Sequence, residues 1–137
     1  MLGPKAAARA ARWAVGITGF SLNLDVDEIE RAIRVADHAW RDAGRPEPPR
    51  FLTACFFAPG DDADVVLRRF THAYFRVFGD EIAEAMAETA SLFSEEALAE
   101  TLDRVATSTR TDEVILVPAS VDPALAQLAA RVAGERC

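Results

Sequence analysis

Cysteine is nearly absent from this 137-residue chain: Cys55 lies inside an apolar run and Cys137 is the last residue. Neither has ligand-like spacing around it, which argues against a zinc site or a disulfide framework and fits a reducing cytoplasm. Cys55 reads as a small buried hydrophobe. Basic charge is scarce as well, with 15 Lys and Arg against 22 Asp and Glu and a net charge of −7. An acidic chain with no basic stripe is poorly suited to nucleic acid or to an anionic membrane surface. No apolar run approaches the roughly 20 residues of a membrane span. Residues 1–24 lack acids and carry Lys5, Arg9 and Arg12 before the run WAVGITGF. Gly16, Thr18 and Gly19 interrupt that run and no small-residue cleavage motif follows, so a first helix and strand account for it better than a targeting peptide. Neither G-x-G-x-x-G nor G-x-x-x-x-G-K-[ST] occurs, which removes the usual phosphate-loop signatures.

What the chain does have is apolar surface, with hydrophobic residues at 50%. Three short runs without polar alternation, residues 14–20, 51–57 and 114–117, read as parallel strands buried on both faces and covered by helices. Three strands leave two unpaired edges. A complete eight-stranded α/β barrel needs roughly 250 residues, so this length supplies only part of one.

Gly3-Pro4 opens an alanine-rich helix running to about Trp13, with proline where its missing N–H costs nothing. Asp25 caps the next helix and Glu28 follows three residues later, an acidic variant of the capping box. Val26, Ile29, Ile33, Ala36 and Trp40 form its apolar stripe, Gly44 ends it, and the connector RPEPP (45–49) leads to the second strand. Val66, Phe70, Ala73 and Val77 mark a helix over 64–78, with Gly79 as its stop. Asp80 begins a shorter helix holding Ile82 and Met86. Ser94 caps another, with Glu95 and Glu96 in its first turn and Leu98, Leu102 and Val105 inside. About 55 residues separate the second and third strands, more than one crossover requires, so extra helices are inserted there. Asp122-Pro123 starts the closing helix, with Leu125, Leu128 and Val132 as its stripe. No repeat or linker divides the chain, and residues 1–137 read as a single α/β unit.

Ligands of such sheets gather at the C-terminal ends of the strands. Those ends are residues 18–23, 58–62 and 118–121. Thr18, Phe20, Ser21 and Ser120 are the candidates for a substrate pocket, and nothing there pairs a nucleophile with a base. His38 points about 140° from its helix stripe and is expected in solvent; His72 lies on a helix flank. Asp61, Asp62 and Asp64 lack the spacing of a calcium loop, so they read as a solvated loop and helix cap, and no metal is expected. Gly3, Pro4 and Lys5 precede a helix start. They are either that start alone or a phosphate contact.

Four segments carry a resemblance: GPKAAARAARWAVGI, AGRPEPPRF, FFAPGDDADVVLRRF and TDEVILVP. In this order they resemble the C-terminal half of the luciferase-like monooxygenase family, flavin- or deazaflavin-dependent oxidoreductases built on an α/β barrel. The resemblance implies a partial (β/α)8 TIM-type barrel whose three strands are numbers six to eight, with a helical insertion before the last. It implies FMN or F420 as cofactor, and hydride transfer or flavin-dependent oxygenation as chemistry. It also implies that the first five strands, which hold most of the flavin ring and substrate, lie outside this sequence. A complementing N-terminal half-barrel is then the expected partner, and this chain alone should bind cofactor weakly or not at all. Gly3, Pro4 and Lys5 match the tail of the segment that approaches the cofactor phosphate. Val15 departs from the pattern, standing where the family usually has the aspartate of an ADG string. Two other readings remain. One is a non-catalytic half-barrel that pairs with itself or a paralogue; the other is a small flavodoxin-like binding domain or inactive fragment.

Overall fold

The most hydrophobic run of the sequence becomes the central strand. The computed structural model describes residues 3–134. Its elements in chain order are α1 (Pro4–Ala10), β1 (Gly16–Thr18), α2 (Val26–Asp42), β2 (Arg50–Phe57), α3 (Ala63–Phe75), a 3-10 turn (Arg76–Phe78), α4 (Asp80–Thr89), α5 (Glu95–Ser108), β3 (Glu113–Pro118) and α6 (Pro123–Gly134). The sheet has the order β1-β2-β3, and its three strands are parallel. β1 pairs with β2 in the register Gly16↔Arg50, Ile17↔Phe51 and Thr18↔Leu52. The helices α3, α4 and α5 form the insertion expected between the last two strands.

β2 is buried as its composition demands: Phe51, Thr53, Cys55, Phe56 and Phe57 are all inaccessible. The two outer strands depart from the expectation. In β1, Gly16 and Ile17 are half-buried and Thr18 is exposed. In β3, Ile115 is 41% exposed, and Val114, Leu116 and Val117 are half-buried. Apolar side chains that suit an interior therefore stay partly in water, because each outer strand has a neighbour on one side only.

β1 is also shorter than residues 14–20. The Ala14 carbonyl accepts from the Arg45 side chain and the Val15 carbonyl from Arg50 N at 3.2 Å. Beyond Thr18 the backbone keeps bonding to β2 without strand geometry, through Gly19 N to Leu52 O at 2.8 Å and Ser21 N to Ala54 O at 3.1 Å. α1 stops at Ala10 rather than Trp13; residues 11–14 continue as turns bonded back to Ala7, Arg9 and Ala10.

The described residues fall into two compact units, one drawn from those up to Cys55 and Arg104–Ile115, the other from Phe56–Asp103 and those from Leu116 onward. In the first, Ala7, Ala11, Ala39 and Trp40 form a buried cluster with Ala10, Ala14, Ile17 and Val35 packed against it. The small side chains of α1 let it lie close on α2, where Ile29, Ile33, Ala36 and Trp40 are buried as their spacing predicts. Gly44, at φ 72, ends α2 in the left-handed conformation, with Arg45 N returning to the Trp40 carbonyl.

In the second unit Phe56 sits at the centre of an aromatic group, 5.0 Å from both Phe70 and Tyr74 in edge contacts. The buried line of α3 is Ala63, Leu67 and Thr71. That line is displaced round the helix from the Val66, Phe70, Ala73 and Val77 spacing that marks the helix in the sequence. On α4 the buried residues are Ala83 and Ala87, with Ile82 half exposed. Ser94 caps as expected, its Oγ accepting from Ala97 N at 3.1 Å, and Asp122 accepts from Ala124 N at 2.9 Å. Cys137 and Met1 lie outside the described residues.

Candidate functional site

At the C-terminal end of β1 the chain turns through Gly19, Phe20 and Ser21. Gly19 has no room for a larger residue: an added Cβ would sit 2.9 Å from Cζ of Phe51. Thr18 is exposed and Phe20 half-buried. Ser21 is 1% exposed, and its hydroxyl is engaged twice. Oγ donates to the Glu28 carboxylate at 2.7 Å and accepts from Asp25 N at 2.9 Å. Asp25 in turn accepts from Glu28 N at 2.8 Å. The capping box of α2 is thus closed through Ser21 rather than directly between Glu28 and the Asp25 backbone. Leu24, buried at φ 53, completes this tight turn.

In the other unit, the end of β2 and the end of β3 are joined by Ala119 N donating to Phe57 O at 2.9 Å, and Ala58 N donates to Leu92 O at 3.1 Å. Ser120 is half-buried and its Oγ accepts from Asp122 N at 3.2 Å, a local turn bond. Asp61 and Asp62 are exposed. Asp62 occupies the position before α3 but its carboxylate makes no capping bond. No group of three or more His, Cys, Asp and Glu among the described residues is arranged to hold a metal ion.

The remaining candidates lie outside these strand-end turns in the chain. The Gly3 carbonyl accepts from Ala6 N and Ala7 N, both at 3.1 Å, Pro4 is the first residue of α1, and Lys5 is exposed. His38 is exposed beside Asp42, Nε2 to Oδ2 at 3.2 Å. His72 is half-buried on α3. Val15 is 77% exposed. Burial pushes the Cys55 thiol up to about 12, so it stays protonated and unreactive at neutral pH.

Sequence reasoning missed a set of anchors at the opposite, N-terminal end of β2. Arg45 donates to the carbonyls of Ala11 and Ala14 and lies over the Trp40 ring at 5.5 Å. Arg110 bonds Asp37 at 2.6 Å and the Pro49 carbonyl at 2.9 Å, and Asp112 accepts from Phe51 N at 2.7 Å. A planar guanidinium can satisfy several acceptors at once, which suits Arg to this work. The arginine within RPEPP, next to an apolar-stripe Trp, was the available signal for the first of them. A cleft of about 280 Å³ lined by Asp37, Trp40, Arg41, Arg45, Pro46 and Glu47 opens at this end. A groove of about 600 Å³ runs past Pro4, Ala8, Arg31, Val35, His38 and Ala39.

No family model and no curated protein matches the sequence. Solved structures do match in shape. An F420-dependent secondary alcohol dehydrogenase in complex with an F420-acetone adduct aligns with 95% of this chain and 43% of its own, at a TM-score of 0.62 and 14% identity. The fold is part of an α/β barrel. Apo-MsnO8 aligns with 98% of this chain and 48% of its own, at a TM-score of 0.52 and 17% identity. The monooxygenase RslO1 from Streptomyces bottropensis aligns with 85% and 39%, at 0.48 and 15%. The chain therefore spans less than half the length of these structures.

Proposed function

We propose that this chain is one part of a luciferase-like oxidoreductase whose cofactor, FMN or F420, is enclosed only when the rest of the barrel is present. The observation that carries the reading is the match to the F420-dependent dehydrogenase over 95% of this chain but 43% of that one. The half-exposed apolar residues of β1 and β3 support it, since further strands on either side would bury them.

A bound flavin or deazaflavin would supply hydride transfer or oxygen activation, and the protein would supply position and exclusion of water. Every buried side-chain polar atom among the described residues has a hydrogen-bond partner. Ser21 is bonded to Glu28 and to Asp25 N at the start of α2, so in this reading it holds the turn that follows Thr18 and Phe20. In this reading Thr18, Phe20 and Ser120 contribute to the substrate side, and Gly3, Pro4 and Lys5 approach the cofactor phosphate. The complementing N-terminal half-barrel is the proposed partner.

A non-catalytic half-barrel is the second reading, favoured by Val15 in the aspartate position and by strand ends that pair no acid with a base. Titration of FMN or F420 into the isotopically labelled chain, followed by NMR, separates the two. The oxidoreductase reading expects weak binding with shifts at Lys5, Thr18, Phe20 and Ser120. Shifts confined to residues 45–48 favour the second reading; where the chain alone binds nothing, the same titration with the N-terminal half-barrel added decides, and no binding there favours the second reading. Tight stoichiometric binding by this chain alone would refute the need for a complement.

A further inference from the structure

β3 carries no internal mark of where it should sit along β2. Val114, Ile115, Leu116 and Val117 are apolar without alternation. A slip of one residue would exchange one apolar face for another, so the hydrophobic pattern does not choose the register. The bonds that do choose it come from residues just before the strand. Asp112 holds Phe51 twice: its N–H donates to the Phe51 carbonyl at 2.9 Å, and its Oδ2 accepts from Phe51 N at 2.7 Å. In a parallel ladder that acceptor is a main-chain carbonyl. Here a carboxylate takes its place, while residues 109–111 form a turn in which Thr109 Oγ1 accepts from Thr111 N at 3.2 Å.

Arg110 supplies the second tie. Its guanidinium donates to the Pro49 carbonyl at 2.9 Å and to Asp37 of α2 at 2.6 Å. The contacts of Arg110 with Pro49 and of Asp112 with Phe51 both join residues 61 apart in the chain, so the two side chains specify one and the same offset between parallel strands. The Arg50–Glu113 pair, at 3.8 Å and largely in water, adds little. We propose that Arg110 and Asp112 are the register determinants of β3 and thereby positioning residues for Ser120 beyond its end. This last step rests on the reading of Ser120 as part of the substrate side. One residue of slip would carry Ser120 about 3.3 Å along the sheet, and it would break the bond from Ala119 N to Phe57 O.

Cross-strand NOEs in the isotopically labelled chain test this. Wild type and Asp112→Asn, which keeps an acceptor for Phe51 N, are expected to show one set of contacts, with Phe51 opposite Asp112 and Phe57 opposite Ala119. Asp112→Ala is expected to give a second set for residues 114–120, displaced by whole residues along β2. The Ile17–Phe51 contacts between β1 and β2 should stay unchanged, which also shows that the variant folds. Where Asp112→Ala does not fold, Arg110→Ala, at a side chain 39% exposed, decides by the same displaced set. A single wild-type set in folded Asp112→Ala and Arg110→Ala, with stability alone reduced, overturns the proposal. So does a displaced set in Asp112→Asn. The register is read in the free chain, so this result stands whether or not Ser120 shifts in the FMN titration.

Discussion

The Ser21 hydroxyl and the Glu28 carboxylate, 2.7 Å apart, tie the end of β1 to the first turn of α2. Because Ser21 Oγ also accepts from Asp25 N, one buried hydroxyl sets both the turn and the helix start. Ser21→Ala should cost about 1–3 kcal/mol, since it leaves a part-buried N–H without its acceptor. Glu28→Gln retains an acceptor for the hydroxyl and should cost about 1 kcal/mol or less. Urea unfolding of both single variants and the double variant measures the pair. Strictly additive losses would show that the relay is not a coupled unit.

Gly16 faces a similar test of close approach. A Cβ built there would lie 2.6 Å from the Arg50 carbonyl oxygen and 2.8 Å from its Cβ. Backbone cannot swing away as a side chain can, so Gly16→Ala should destabilise by about 1–3 kcal/mol. Gly3 has nothing within 4 Å, and Gly3→Ala should be neutral within about 0.5 kcal/mol. Equal thermal midpoints for the two variants would contradict the β1–β2 packing.

Cys55 makes a prediction about alkaline pH. Desolvation raises its thiol from 9.0 to about 12 in the folded chain. Above pH 9 the unfolded chain loses this proton while the folded chain keeps it, so unfolding is favoured as pH rises. The resulting loss of stability approaches about 1.4 kcal/mol per pH unit between 9 and 12 and is absent at neutral pH. Measured in a Cys137→Ser background, Cys55→Ala should remove that part of the slope. An unchanged slope would mean that the thiol is not buried in the native state.

How much of this was legible in the sequence depended on whether a residue's role was local. The unbroken run 51–57 located β2, and the spacing of Ile29, Ile33, Ala36 and Trp40 located the buried face of α2, because each signal sits within one element. The late start of β1 was invisible: the Ala14 carbonyl is taken by the Arg45 side chain, 31 residues on in the chain. Ser21 was recognised as a strand-end hydroxyl but not as the closing member of a helix cap, since the usual box joins the cap residue and the residue three later directly. On α3 the apolar stripe was legible and its burial was not. Periodicity shows which residues share a face, whereas the structure decides what that face meets.

Hydrogen exchange on the isolated chain, resolved strand by strand, tests the claim of an incomplete barrel most directly. Amides of β2 from Phe51 to Phe57 should exchange only through global unfolding, while those of β1 and β3 exchange orders of magnitude faster through local opening. Equal and maximal protection of all three strands in the chain alone would show that the sheet needs no further cover, and would contradict the account.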